Sequence, residues 1–149
     1  MKIAIGGDHA GFDLKQLLAR ELTKDGHTVS DLGAHSTEPS DYPEFARAVG
    51  DAVATGRADR GIIVCGSGVG ACIAANKIRG VRAAICHDTY SAHQGVEHDD
   101  MNVLCLGSRV IGPAPALEIA RSFLAARFSK EERFLRRLQM VLEIEKHHS

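Results

Sequence analysis

The chain has 149 residues, 44% of them apolar and 25% charged, fractions ordinary for a soluble globular protein. That length fits one domain, residues 1–149, with a real core, and leaves little room for a cofactor domain beside a separate substrate domain. Eighteen Lys and Arg against 19 Asp and Glu leave a net charge of -1, which argues against nonspecific nucleic-acid binding.

Five short β-like runs recur along the chain: Lys2–Ile5, Thr28–Asp31, Gly61–Val64, Ala83–Cys86 and Val103–Leu106. Helical patterns lie between them. Gly11–Lys24 carries Phe12, Leu14, Leu17, Leu18 and Leu22 at helical spacing and stops at Gly26. Tyr42–Thr55 follows Ser40-Asp41 as caps, with Pro43 in the first turn and Gly56 at its end. Ala71–Lys77 and Tyr90–Glu97 are shorter, and Pro113–Arg127 is long and Ala-rich. Strand and helix alternating in this way predict βαβ units and a parallel sheet covered on both faces. Ser129-Lys130-Glu131-Glu132 reads as a capping box. It opens a last helix to about Lys146, roughly 25 Å long at 1.5 Å per residue. His147 and His148 are expected as a frayed tail. The helix has a broad apolar face, so it lies either on its own domain or on a neighbouring subunit.

No apolar run approaches the roughly 18–20 residues of a membrane span, and the stretch after Met1 is too short for a signal peptide. A cytosolic protein with no membrane partner is expected. Cys65, Cys72, Cys86 and Cys105 form no Cys-x-x-Cys pair and read as free thiols of a reducing compartment.

The sharpest motif is Val64-Cys65-Gly66-Ser67-Gly68-Val69-Gly70-Ala71, between a strand and a helix. Alternating glycines expose backbone N–H groups and the following helix adds its positive end, which together make an anion cradle. A tight turn without a ligand is the plainer role. A thiol at such a place has its thiolate stabilised, lowering its pKa below the free value of about 8.5 and making Cys65 a base or nucleophile; a buried strand-end thiol is the alternative. Gly66-x-Gly68-x-x-Ala71, with Asp88 after the next strand, formally fits a dinucleotide fingerprint. The helix is short, however, and the motif sits on the third strand. A cysteine phosphatase loop needs Arg where Ala71 stands.

Asp8 and His9 end the first strand on the same rim as Cys65 and suit hydroxyl binding or proton transfer; Asp8 as a helix cap is the alternative. His98 lies between Glu97 and Asp99-Asp100 in what reads as a loop, where acids favour its charged form and general-acid work. Arg109 follows the fifth strand. Arg133 and Arg137 share one face of the last helix at i, i+4, with Arg136 nearby, and three guanidiniums on a stripe can clamp a phosphate. Arg outnumbers Lys 12 to 6 in the chain, in keeping with such a clamp. A solvated face with Glu partners is the other role for this stripe.

Together these pieces resemble the family of ribose-5-phosphate isomerase B and the galactose-6-phosphate isomerase subunits. The resemblance runs through Gly7–Phe12, Asp41–Pro43, Cys65–Gly70, Ile73–Lys77, Glu97–Asp99, Asn102–Leu104 and Gly107–Arg109, and ends with Arg133 and Arg137. It implies a Rossmann-like three-layer α/β/α sandwich with a five-stranded parallel sheet and an extended C-terminal helix. It implies a homodimer or dimer of dimers whose active site is shared between subunits. The implied activity is aldose-ketose isomerisation of a phosphorylated sugar, ribose 5-phosphate to ribulose 5-phosphate or a hexose 6-phosphate counterpart, without metal or nucleotide cofactor. By that resemblance Cys65 is the base, His98 with Asp8 opens the sugar ring, and Ser67 relays a proton. Gly66, Ser67, Gly68, Val69 and Gly70 hold the enediolate oxygens, while His9, Arg109, Arg133 and Arg137 hold the phosphate or sugar tail and Tyr42 lines the pocket. Two residues depart from the family's frequent pattern: Asp99 stands for Asn, which bears on a sugar hydroxyl, and Ser67 stands for Thr.

Overall fold

The computed structural model describes residues 1–148. In chain order the elements are β1 (Lys2–Gly7), α1 (Phe12–Lys24), β2 (Thr28–Asp31), α2 (Tyr42–Ala54), β3 (Arg60–Cys65), α3 (Val69–Ala75), β4 (Ala83–Ile85), α4 (Thr89–Asp99), β5 (Val103–Gly107), α5 (Pro113–Ala125) and α6 (Glu132–His148). The strands form one parallel sheet in the order β2-β1-β3-β5-β4. Among the described residues no helix is long and apolar enough to cross a membrane.

Alternation along the strands builds two cores. Ile3, Ile5, Ile62, Val64, Leu104 and Leu106 face one side and pack with Leu18, Leu22, Val96 and Phe123 of α1, α4 and α5. Ala4, Ile63, Cys65, Val103 and Cys105 face the other side and pack with Ala46, Val49, Ala71 and Ala75 of α2 and α3. The second side is built from small residues because α2 lies close to the sheet. A Cβ on Gly61 would stand 2.5 Å from Val49 Cγ1.

The chain reverses its direction of travel across the sheet between β1 and β3. From β1 it runs outward to β2, then crosses back to β3. The helix after β1 belongs to one face and the helix after β3 to the other, so their entry loops diverge and leave a crevice at the carboxyl ends of the strands. Ligands of open α/β sheets bind at such a switch point.

Several local expectations are corrected. Glu97, His98 and Asp99 form the last turn of α4 rather than a loop. The capping box at Ser129 does not form: α6 starts at Glu132, and Lys130 has a left-handed φ of 59°. The Ser129 N–H donates instead to the Glu97 carbonyl at 3.0 Å, binding the entry of α6 to the end of α4. His147 and His148 continue α6. Asp41 stands at the start of α2 without a side-chain capping bond.

The most costly polar feature of the interior is Lys15. Its side chain is fully buried, and Nζ donates to both Asp31 oxygens at 2.7 and 2.6 Å and to Gln16 Oε1 at 3.0 Å. Asp31 also accepts from the Gly33 N–H at 2.9 Å, so one carboxylate clips α1, β2 and the following loop together. Removing one partner of a buried pair strands the other charge, at a cost of about 3–5 kcal/mol. Asp31→Ala is therefore expected to lose stability in that range in urea unfolding. Lys15→Met should lose clearly less, because it leaves a carboxylate that is 29% exposed and still bonded to Gly33. Equal losses would contradict this account.

Candidate active site

Three strand-end loops meet at the switch point, and their backbones approach so closely that only glycine fits. A Cβ on Gly7 or Gly11 would lie 2.2 or 2.0 Å from the Val64 carbonyl oxygen. One on Gly107 would lie 2.6 Å from the Ser67 oxygen. Hydrogen bonds then fix the loops to one another. The Ser108 and Arg109 N–H groups donate to the carbonyls of Cys65 and Gly66 at 2.8 and 3.0 Å, and Ser108 Oγ donates to the Ala10 carbonyl at 2.7 Å.

These loops enclose a cavity of about 320 Å³ lined by Asp8, Tyr42, Cys65, Gly66, Ser67, Gly70, Arg109 and Val110. Cys65 is buried at the end of β3, and the Gly68 N–H donates to its Sγ at 3.1 Å. Gly68 manages this with a left-handed φ of 84° at the start of α3. The Val69 N–H is taken by Ser67 Oγ at 3.2 Å. The first four N–H groups of a helix lack intrahelical acceptors, and of those left over here Gly70 belongs to the cavity lining. Gly66 and Gly70 serve side chains: a Cβ there would crowd the Arg109 guanidinium at 3.1 Å and the Tyr42 ring at 2.5 Å. The loop is more than a turn, since its glycines keep the room in which Arg109 and Tyr42 reach the cavity.

Asp8 is 7% exposed. Its Oδ1 accepts from the Ala10 and Gly11 N–H groups at 3.1 Å each, so it holds the loop and faces the cavity at once. His9 lies beside the cavity rather than in its lining. The Ser40 N–H donates to its Nδ1 at 3.1 Å, and Ser40 Oγ accepts from the His9 N–H at 3.0 Å. Asp88, the acid of the dinucleotide reading, caps α4 by accepting from the Ser91 N–H at 2.6 Å. That bond and the nearby positive groups hold its carboxyl below the usual range.

Residues 3–141 match the model of the Ribose/Galactose Isomerase family. The chain belongs to this family. It is 44% identical over 144 residues to ribose-5-phosphate isomerase B of Escherichia coli, covering 97% of this chain and 96% of that one. It is 45% identical over 129 residues to D-erythrulose-4-phosphate isomerase of Pectobacterium atrosepticum, covering 86% and 85%. The structure of Clostridium thermocellum ribose-5-phosphate isomerase B superposes with a TM-score of 0.97 at 47% identity, covering all of both chains. The protein is a sugar-phosphate isomerase.

His98, Asp99, Arg133 and Arg137, which the family resemblance also assigns to the site, lie farther from the cavity than His9 does. His98 ends α4, which runs back from the carboxyl ends of the strands to the start of β5. There the Asn102 carbonyl accepts from Gly61 N–H, four residues before Cys65 on β3. At about 3.3 Å per residue this places the two edges roughly 13 Å apart. Arg133 and Arg137 enter from the same far edge, where the Arg60 guanidinium donates to the carbonyls of Phe123 and Ala126 at the end of α5. Asp99 lines a separate groove of about 580 Å³ between α4, β4 and α6. Val110 and Ser40 were not foreseen. Val110 is an exposed apolar rim residue with no sequence signal, and Ser40 meets His9 only through the fold.

The four thiols differ sharply. Cys72, half-buried on α3, is lowered to about 7, chiefly by the neighbouring Cys105 thiol and also by the Asn76 amide, which donates to its Sγ at 3.5 Å. The Cys72 thiol and burial push Cys105 well above the ordinary thiol value. Burial, aided by the Asp88 charge, raises Cys86 to about 11. Thiolate is the alkylated form. Iodoacetamide labelling read by peptide mass spectrometry should therefore modify Cys72 with a midpoint near pH 7 and spare Cys86 and Cys105 below pH 9. Modification of Cys72 only above pH 9 would contradict this account of its surroundings.

Proposed function

We propose that this isomerase interconverts ribose 5-phosphate and ribulose 5-phosphate, with Cys65 as the base. The observation that carries the reading is the convergence of Asp8, Cys65, Ser67 and Arg109 on one small cavity. Isomerisation needs a base, a stabilised oxyanion and an anchored substrate. The Cys65 thiolate removes the C2 proton of the open-chain aldose, and the electrons of the C–H bond form the enediolate. The Gly68 N–H at Sγ supports the negative charge on sulfur. The backbone of Gly66–Gly70 faces the enediolate oxygens, Ser67 Oγ relays a proton between them, and Cys65 returns its proton to C1.

A second copy of the chain completes the site. One chain holds Asp8 and Cys65 at one edge of its sheet and His98, Arg133 and Arg137 at the other. Leu135, Met140, Val141 and Ile144 of α6 are exposed, as are Val69 and Ile73 of α3. These faces suit a homodimer in which α4 and α6 reach the partner's cavity. His98 then protonates the furanose ring oxygen as the C1–O bond breaks, and Asp8 takes the proton of the anomeric hydroxyl. Arg109 with Arg133 and Arg137 holds the phosphate, with His9 beside it. A phosphate held away from the reacting carbons supplies the orienting energy. Free thiols and a mixed-charge surface suit a cytoplasmic enzyme of this kind.

The choice of ribose 5-phosphate rests on the names of the relatives that span nearly the whole chain. Cys65→Ala is expected to lower kcat about 10²–10⁴-fold with an unchanged circular-dichroism spectrum; full turnover would remove the base assignment. Across ribose 5-phosphate, erythrulose 4-phosphate and hexose 6-phosphates, kcat/KM should be highest on ribose 5-phosphate. A higher value on a four- or six-carbon substrate would overturn the assignment of the sugar. Tight NAD or ATP binding with no isomerase activity would overturn both.

A further inference from the structure

His98 is held in a manner that the reaction scheme leaves unused. Its ring stacks on Phe134, with centroids 4.0 Å apart and planes at 15°. Phe134 is 4% exposed, the one buried residue of α6. The guanidiniums of Arg133 and Arg137 lie 4.5 and 5.9 Å from the centre of the same ring. One turn back on α4, Gln94 Nε2 donates to His98 Nδ1 at 2.9 Å. A single phenyl ring thus gathers the imidazole and both arginines, and a single amide occupies one imidazole nitrogen.

We propose that Gln94 and Phe134 are positioning residues for His98: Gln94 engages Nδ1 so that Nε2 alone is presented to the sugar, and Phe134 fixes the plane of the ring. This rests on the reading of His98 as the group that opens the sugar ring. An imidazole has two distinct nitrogens, and the partner of one decides what the other does. An amide has a donor end and an acceptor end. Its N–H donates to bare Nδ1 in the neutral ring. After a half-turn its carbonyl oxygen accepts from Nδ1–H of the imidazolium. In both states Nδ1 is spoken for; the imidazolium gives its Nε2 proton to the ring oxygen and keeps Nδ1–H on the amide oxygen, and Nδ1 returns to its bare form when that proton passes to solvent as Nε2 is protonated again.

A neutral amide does this without adding charge. The charges around His98 are Glu97 and Asp99 on α4 and Arg133 and Arg137 on α6. Glu97 is engaged by His93 Nδ1 at 3.1 Å, and Arg133 by Glu131 at 3.1 Å. Replacing Gln94 by a carboxylate would place a negative charge against Nδ1 and favour the imidazolium. A spacer of the same size without polar atoms would release Nδ1.

The test uses the whole assembled enzyme with Gln94→Glu, Gln94→Leu, Phe134→Leu and Phe134→Tyr, and His98→Asn to assign the signal. Ring ¹⁵N shifts of labelled histidine follow His98 through its titration, and kcat and KM on ribose 5-phosphate are measured against pH. Gln94→Glu is expected to raise the His98 midpoint by about one pH unit and to shift one limb of the kcat/KM profile the same way. Gln94→Leu should change the tautomer ratio and lower kcat about tenfold with KM within about twofold, the mark of an interaction that matters in the transition state. Phe134→Leu should lower kcat similarly and Phe134→Tyr should restore it. An unmoved His98 titration in Gln94→Glu, or full kcat in Gln94→Leu, overturns the proposal alone. Full turnover of His98→Asn overturns the reading of His98 as well.

Discussion

The approach of three backbones at the carboxyl edge of the sheet is the constraint on which the rest depends. Gly7 and Gly11 let the first loop lie against the Val64 carbonyl, and Gly107 lets the fifth strand's loop lie against Ser67. A methyl group at any of the three would meet backbone, which cannot swing aside as a side chain can. Because the loops pack at this distance, Ser108 and Arg109 bond to the carbonyls of Cys65 and Gly66. The cavity walls are therefore rigid before any substrate arrives. Preorganisation of this kind is what stabilisation of a developing oxyanion requires.

The same architecture separates the candidate residues into two groups. In a βαβ unit every helix carries the chain back to the opposite edge of the sheet. Residues at the end of α4 and the start of α6 are thus placed by topology about a strand's length from the cavity. The groups gathered there include an imidazole and two guanidiniums around one buried phenyl ring. A small domain can run a demanding reaction if each copy completes its neighbour.

Much of the fold was legible because its signals are local. Short β-like runs marked the strands, apolar residues at helical spacing marked α1, and Pro43 with the flanking Asp41 and Gly56 marked α2. Cys65 with its glycines, Asp8 and Arg109 read as neighbours because strand-end loops of a parallel sheet share one rim, and they line one cavity. What failed was also local. Ser129 and Glu132 have the spacing of a capping box, but tertiary bonding of the Ser129 N–H to Glu97 and a left-handed Lys130 move the helix start to Glu132. The acid run around His98 looked like a loop because charge obscured the apolar face of α4, which Ala92 and Val96 nonetheless supply. The bonds of Ser40 to His9 join residues far apart in the chain, and no spacing rule reports such pairs. The 12-to-6 preference for Arg gains a physical sense here: planar cations stack on an aromatic ring while keeping their hydrogen-bond donors free.

Subunit complementation tests the shared site most directly. Cys65→Ala and Arg137→Ala homodimers each lack one part of every site. After unfolding and refolding together in equal amounts, half of the dimers carry one chain of each kind. In those, one of the two sites has both parts intact. The account predicts recovery of about a quarter of wild-type turnover from two nearly inactive parents. Activity no greater than the mean of the parents would contradict it, because a site built within one chain is broken in every copy.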